Sequence, residues 1–265
     1  SNAAGGGGTA PGGGGSAPGG GGSTAPGGGG AAAGGGDTGA RPNCPYTAHV
    51  KGLTTHAISG TTYAVYVPAS YQSATPMRAI VALHGTGDSP TNFITYLWKA
   101  NADAQGLIVV APRGTFFSNG QGPAWSNADL PRVLAALDEV QSCFNVAPKR
   151  TLVSGFSAGA HMAYFVGLKQ AQRFAGIFVA AGSLYGGAEY LNGGASLFPA
   201  AWKVPVVHFH GTQDQSVPYS FGEQSRDKLL AAGHPVQFHA FTGGHTTSPA
   251  QALQALSELG SSTAP

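Results

Sequence analysis

Seven short apolar runs recur along the chain, separated by longer stretches whose apolar residues fall on one helical face. Residues 61–67 alternate and stop at Pro68. Residues 79–83, 107–111, 150–153 and 176–180 are mostly apolar and rich in β-branched side chains; 204–209 and 236–241 complete the set. Runs of this length and continuity suit strands covered on both faces. The intervening segments 92–104, 130–143, 158–168, 219–232 and 248–258 read as helices. Asp129 stands at the N-cap position of the second, with Pro131 in its first turn. Strands alternating with helices predict an α/β fold: a mostly parallel central sheet with helices on both faces. Many functions share that architecture, so function must come from a site.

Composition divides the chain in two. Residues 1–42 are nearly half glycine, repeat Ala-Pro-Gly-Gly-Gly-Gly from Ala10, Ala17 and Ala25, and open on a Ser-Asn-Ala that resembles a tag remnant. Such a tract has too little apolar surface to offset the entropy of ordering, so it reads as a flexible linker. It serves either as a spacer in an exported protein or as a solvated tail with no role. Residues 43–265 have one composition throughout and suit a single catalytic domain. A net charge of +2, with 9% charged residues and no basic run, argues against nucleic acid or an anionic membrane as main partner. No apolar run approaches the ~20 residues of a transmembrane span. The sparsely charged, Ser-, Thr-, Ala- and Gly-rich chain is read as an exported monomer, secreted, periplasmic or at the cell surface.

Cys44 and Cys143 are the two cysteines. In an exported protein such a pair predicts one disulfide, worth about 4–5 kcal/mol in the chain-entropy picture. Two unrelated buried thiols are the alternative.

The chemistry gathers around Gly155-Phe156-Ser157-Ala158-Gly159, which joins a predicted strand to a predicted helix. Gly-x-Ser-x-Gly in that setting is the nucleophile-elbow pattern. The sharp turn lifts the serine hydroxyl clear of the sheet, flanking side chains would collide, and the helix N-terminus favours a developing oxyanion. Among nine histidines, His245 follows the last strand and takes the role of base; His161 would point down the helix from Ser157. Asp214, just after the strand 204–209, is the acid, with Asp88, Asp129, Glu223 and Asp227 as alternatives that do not follow a strand between nucleophile and histidine. Ser157, Asp214 and His245 then stand in α/β-hydrolase chain order. The oxyanion hole takes one backbone N–H from Ala158 and another from the glycine-rich turn His84-Gly85-Thr86-Gly87-Asp88, assigned to Thr86. An ordinary strand–helix turn is the alternative for Thr86.

Leu83-His84-Gly85, Cys143-Phe144-Asn145-Val146, the segment Gly155 to Ala163, and His210-Gly211-Thr212-x-Asp214-x-x-Val217-Pro218-Tyr219 together resemble the polyhydroxybutyrate depolymerase-like esterases, a group that includes secreted feruloyl and acetylxylan esterases. The resemblance implies a compact α/β hydrolase with little or no lid, export, and neither cofactor nor metal. It also implies an ester substrate, small or polymeric, including hydroxyalkanoate and aryl polyesters. One departure stands out: the aromatic that often follows the histidine in this group is replaced by Thr246-Thr247-Ser248. A pocket wall must then come from elsewhere, and Trp125 is the candidate; a half-buried loop aromatic is its other reading. The expected reaction is carboxylic ester hydrolysis through an acyl-enzyme. An acyltransferase or serine peptidase on the same triad, or a non-catalytic binding domain of hydrolase descent, are the alternatives.

Overall fold

The computed structural model describes residues 44–46, 50–117, 120–198 and 202–265. The glycine-rich segment expected over residues 1–42 lies outside the described residues.

Among the described residues ten strands form: β1 (Gly52–Ile58), β2 (Thr61–Val67), β3 (Met77–Leu83), β4 (Leu107–Pro112), β5 (Phe116–Phe117), β6 (Pro123–Ala124), β7 (Val146–Phe156), β8 (Gly176–Ala180), β9 (Val206–Gly211) and β10 (Val236–Phe241). Eight of them make one sheet in the order β1-β2-β4-β3-β7-β8-β9-β10, and β5 pairs with β6 alone. From β4 to β10 every neighbour is parallel, while β1–β2 and β2–β4 are antiparallel. The chain therefore has the α/β-hydrolase fold.

The helices are α1 (Pro90–Phe93), running through a π turn at Ile94–Trp98 into α2 (Lys99–Gln105), then α3 (Leu130–Cys143), α4 (Ala158–Lys169), α5 (Glu189–Leu191), α6 (Tyr219–Ala231) and α7 (Pro249–Glu258). Alternation along β3 explains how both sheet faces are covered. Val81 and Leu83 pack with Val133 and Leu137 of α3, with α4 and with Leu229 of α6. Ile80 and Ala82 pack with Phe93, Leu97, Trp98 and Ala102 on one side of the opposite layer and with Ala252, Ala255 and Leu256 of α7.

Several expectations are revised for physical reasons. The strand expected from residue 204 begins at Val206, because Pro205 has no N–H for the ladder. Strand β1 was not expected; its alternating half-buried Thr-Thr-His pattern is that of a sheet edge. Asp129 does not cap α3 with its side chain. Its carboxylate instead accepts hydrogen bonds from the Ser126 N–H (2.9 Å) and the Thr115 hydroxyl (2.6 Å), closing a capping box on the short turn Asn127–Asp129. Ser248, expected to begin a helix, is the N-cap of α7, reciprocally bonded to Gln251.

Cys44 and Cys143 are joined in a disulfide that attaches the segment 44–46 to the end of α3. Beside it, the Tyr46 and Tyr63 hydroxyls are 2.5 Å apart, and Tyr63 donates to Glu139 of α3 at 2.6 Å. Among the described residues no helix is long and apolar enough to cross a membrane.

Candidate active site

The carboxyl ends of the parallel strands carry the candidate residues. β7 runs into Ser157, whose φ of 56° and ψ of −123° are accessible to a non-glycine residue only at a cost of about 1–3 kcal/mol. Close packing holds that conformation. A Cβ on Gly155 would lie 2.0 Å from the Gly159 carbonyl oxygen, and one on Gly159 would lie 1.9 Å from that of Leu83. The two glycines let β7, α4 and the end of β3 meet backbone to backbone.

The loops after β9 and β10 are sewn to each other. Thr212 N–H donates to the Phe241 carbonyl (2.9 Å) and Gln213 N–H to that of Gly243 (2.9 Å). This pairing brings Asp214 and His245 together although 31 positions separate them. His245 Nδ1 lies 2.7 Å from Asp214 Oδ2, and His245 Nε2 lies 2.8 Å from Ser157 Oγ. The carboxylate's other oxygen accepts the N–H groups of Ser216 (2.8 Å) and Val217 (2.9 Å). The Asp214 side chain is buried, which alone would raise its pKa. The hydrogen bonds from Val217, His245 and Ser216 outweigh burial and hold it below the usual value, so the group is a carboxylate.

The turn after β3 is organised by His84. Its Nδ1 lies 2.8 Å from the Gly85 carbonyl oxygen, which can only accept, so Nδ1 carries the proton; Nε2 accepts from Gly114 N–H at 3.3 Å. Burial pushes the ring's pKa down and keeps this neutral tautomer. The Gly85 carbonyl also accepts from Asp88 N–H at 3.3 Å. In a trans peptide the following N–H points opposite to the carbonyl, so Thr86 N–H is turned away from the His84 ring. Among the described residues, neither the Thr86 nor the Ala158 amide is engaged by another protein group. Both residues line a cavity of about 170 Å³ beside Ser157.

Trp125 lines the same cavity and is buried, and its indole N–H donates to the His84 carbonyl at 2.8 Å. It is thus both wall and buttress of the His84 turn. Phe116 and Tyr190 complete the aromatic wall, at 49% and 77% exposure, with Phe117 beyond them at 64%. His161 also lines the cavity; its backbone N–H donates to the Ser157 carbonyl at 3.1 Å, while its side chain turns to Ser183, with Nε2 3.4 Å from Ser183 Oγ. Burial, then the neighbouring His245 and His210, push its pKa down to about 4, so the ring is neutral. Phe156 packs against the His245 ring, with centroids 4.9 Å apart. Sequence reasoning missed Phe116, Tyr190 and the His84 clamp. The available signal was paired aromatics within a polar loop and a histidine ahead of a glycine-rich turn. Two wider hollows lie at the amino ends of the strands, around Leu168–Arg173 and around Val206 and Val236, and neither is lined by Ser157, Asp214 or His245.

A family model described as phospholipase/carboxylesterase matches residues 127–261. The probable feruloyl esterase C of Aspergillus niger is 24% identical over 229 residues, covering 73% of this chain and 79% of its own. The feruloyl esterase C of Emericella nidulans is 26% identical over 218 residues, covering 72% and 78% respectively. Among solved structures, esterase PE8 superposes with a TM-score of 0.59 at 24% identity, over 79% of this chain and 100% of its own. A ferulic acid esterase of Anaeromyces mucronatus, in complex with ferulic acid, gives 0.58 at 14% identity, over 78% and 90%. These structural likenesses concern the fold.

Proposed function

The chain belongs to the phospholipase/carboxylesterase family and is a serine ester hydrolase, and from that premise we propose that Ser157, His245 and Asp214 cleave carboxylic esters through an acyl-enzyme. The observation that carries this reading is the unbroken line of short contacts, 2.8 Å from Ser157 Oγ to His245 Nε2 and 2.7 Å from His245 Nδ1 to Asp214 Oδ2.

In the reaction, Ser157 Oγ attacks the ester carbonyl as its proton passes to His245 Nε2. Asp214 Oδ2 holds Nδ1–H, fixing the tautomer and stabilising the imidazolium. The carbonyl oxygen becomes an oxyanion received by the Thr86 and Ala158 amides. Its collapse breaks the bond to the alcohol oxygen, which takes the proton from Nε2. Water then attacks the acyl-serine while His245 accepts one of its protons, and a second collapse returns that proton to Ser157 Oγ and releases the acid.

For the acyl group we favour a neutral aromatic acid of feruloyl type. Among the described residues the cavity walls hold no charged side chain and present Phe116, Trp125 and Tyr190. The cavity is small, about 170 Å³, and lined by ring faces, which suits a planar acyl group. The feruloyl esterase relatives point the same way. The Cys44–Cys143 disulfide supports export to an oxidising compartment.

The test is direct. Ser157→Ala should remove turnover of p-nitrophenyl butyrate by about 10⁴-fold or more; retained turnover in the purified variant overturns the assignment. Methyl ferulate should exceed the matching acetyl ester in kcat/KM, and the reverse order overturns the acyl choice. Added alcohols that divert the acyl group would mark an acyltransferase instead.

A further inference from the structure

Next to Asp214 runs a line of buried polar groups that the reaction does not use. The Tyr164 hydroxyl of α4 is 2.9 Å from His208 Nδ1, and His208 Nε2 is 3.1 Å from His210 Nδ1. His210 Nε2 is 2.9 Å from the Val217 carbonyl oxygen and 3.6 Å from Asp214 Oδ2. Tyr164, His208 and His210 are fully buried. Two positions apart on β9, the histidines share the face toward α4 and α6. Helix α6 approaches closely there: a Cβ on Gly222 would lie 2.4 Å from His210 Nδ1.

The line has one direction. A carbonyl oxygen can only accept, so His210 Nε2 carries a proton and donates to Val217. Burial keeps both rings neutral, so His210 Nδ1 is bare and must accept from His208 Nε2–H. By the same step His208 Nδ1 accepts the Tyr164 O–H. Every hydrogen in the line points toward the turn that carries Asp214. Packing alone would be served by apolar side chains at these positions, since each buried polar group must recover its lost hydration. What the polar line adds is its end point. Val217, held through its carbonyl, is the residue whose N–H donates to Asp214 Oδ1 alongside Ser216.

We propose that His210, aligned by His208 and Tyr164, is a positioning residue for the acid: it holds the 214–217 turn so that Asp214 keeps Oδ1 on two backbone amides and presents Oδ2 to His245. The proposal rests on reading Asp214 as the triad acid, which Asp214→Asn tests separately. Full activity in that variant would remove the reading itself, whatever His210 does.

With that reading in place, His210→Phe keeps a ring and removes the donor to Val217. In folded protein it should lower kcat on p-nitrophenyl butyrate by about 10- to 10²-fold with KM within about twofold, as expected for a misplaced acid. The far-downfield proton resonance of the His245–Asp214 hydrogen bond should move or broaden. His210→Gln, whose amide N–H can reach Val217, should recover most of kcat. Wild-type kcat with an unmoved resonance in His210→Phe overturns the proposal. So does a His210→Gln as impaired as His210→Phe, because that would assign the effect to ring packing. If the His210 variants do not fold, Tyr164→Phe decides, since it removes only the O–H that starts the line. A loss of about fivefold in kcat, near the worth of one hydrogen bond, with the resonance displaced supports the proposal. Unchanged kcat and resonance overturn it.

Discussion

The two halves of the cleft are built on opposite plans. On the acid–base side, the loops after β9 and β10 are bonded to each other through their backbones, and both Asp214 oxygens have defined donors. On the cavity side, the aromatic wall hangs on a two-residue strand pair and on the three-residue α5, with Phe116, Phe117 and Tyr190 largely open to solvent. On the proposed reading this difference has a reason: proton transfer tolerates errors of only a few tenths of an ångström, so the groups proposed for it are locked by hydrogen bonds. Acyl recognition relies on area and ring faces, which short elements can present and rearrange. Within the cavity side His84 is the clamp: its carbonyl holds Trp125 while its ring holds the Gly85 peptide.

The contrast can be broken at several points. Asp214→Asn should reduce kcat by about 10⁴-fold with little change in the fold; a loss below tenfold would mean that the densely bonded half is not where rate is made. His84→Phe frees the Gly85–Thr86 peptide to turn, and should lower kcat by about 10²-fold while KM stays level. A raised KM at constant kcat would instead make that turn a binding element. Tyr190→Ala or Phe116→Ala should cost several-fold in kcat/KM for methyl ferulate, within the ~0.5–1.5 kcal/mol of an aromatic contact, and leave p-nitrophenyl acetate nearly unchanged. Equal losses on both substrates would move the acyl group elsewhere.

A separate effect is on stability. His84, His161 and His208 are held below the usual histidine pKa of 6.5 by burial first, His161 at about 4. The unfolded chain then binds more protons than the folded one as pH falls below 6.5. Stability is therefore fully present above that value and declines on acidification, by at most about 1.4 kcal/mol per pH unit for each histidine. Asp214 works in a separate window. Its contribution is present above the usual carboxylate value of 3.8 and is lost only as pH falls through its lower folded value. Urea unfolding at pH 7 and pH 5 should show the decline, and a flat result would count against neutral buried rings.

What could be read from the sequence follows the same division. β2, β8 and β10 are visible in the sequence because their apolar or alternating runs are bounded by breakers, and the elbow at Ser157 because glycines must flank it. Asp214 and His245 follow from their places after strands, and the structure brings both to Ser157. His208 and His210 were not legible in the same way: within a strand they look like any buried polar residues, and their partners Tyr164 and Val217 are remote in sequence or contribute only backbone. Tyr190 and Phe116 were hidden because exposed aromatics in loops have no periodicity to announce them. Asp129 looked like a helix cap because spacing alone does not say which of two consecutive turns a carboxylate closes.

The disulfide has a mechanical consequence. β1 is an edge strand held by one antiparallel neighbour, the arrangement that unzips most easily when its end is pulled. Cys44 precedes β1 and is bound to α3 at the amino-terminal edge of the sheet, where Asn145 meets the start of β3. Tension arriving from residues ahead of Cys44 therefore passes through sulfur into α3 and the buried centre of the sheet, bypassing β1. The load enters at the edge opposite the strand ends that carry Ser157.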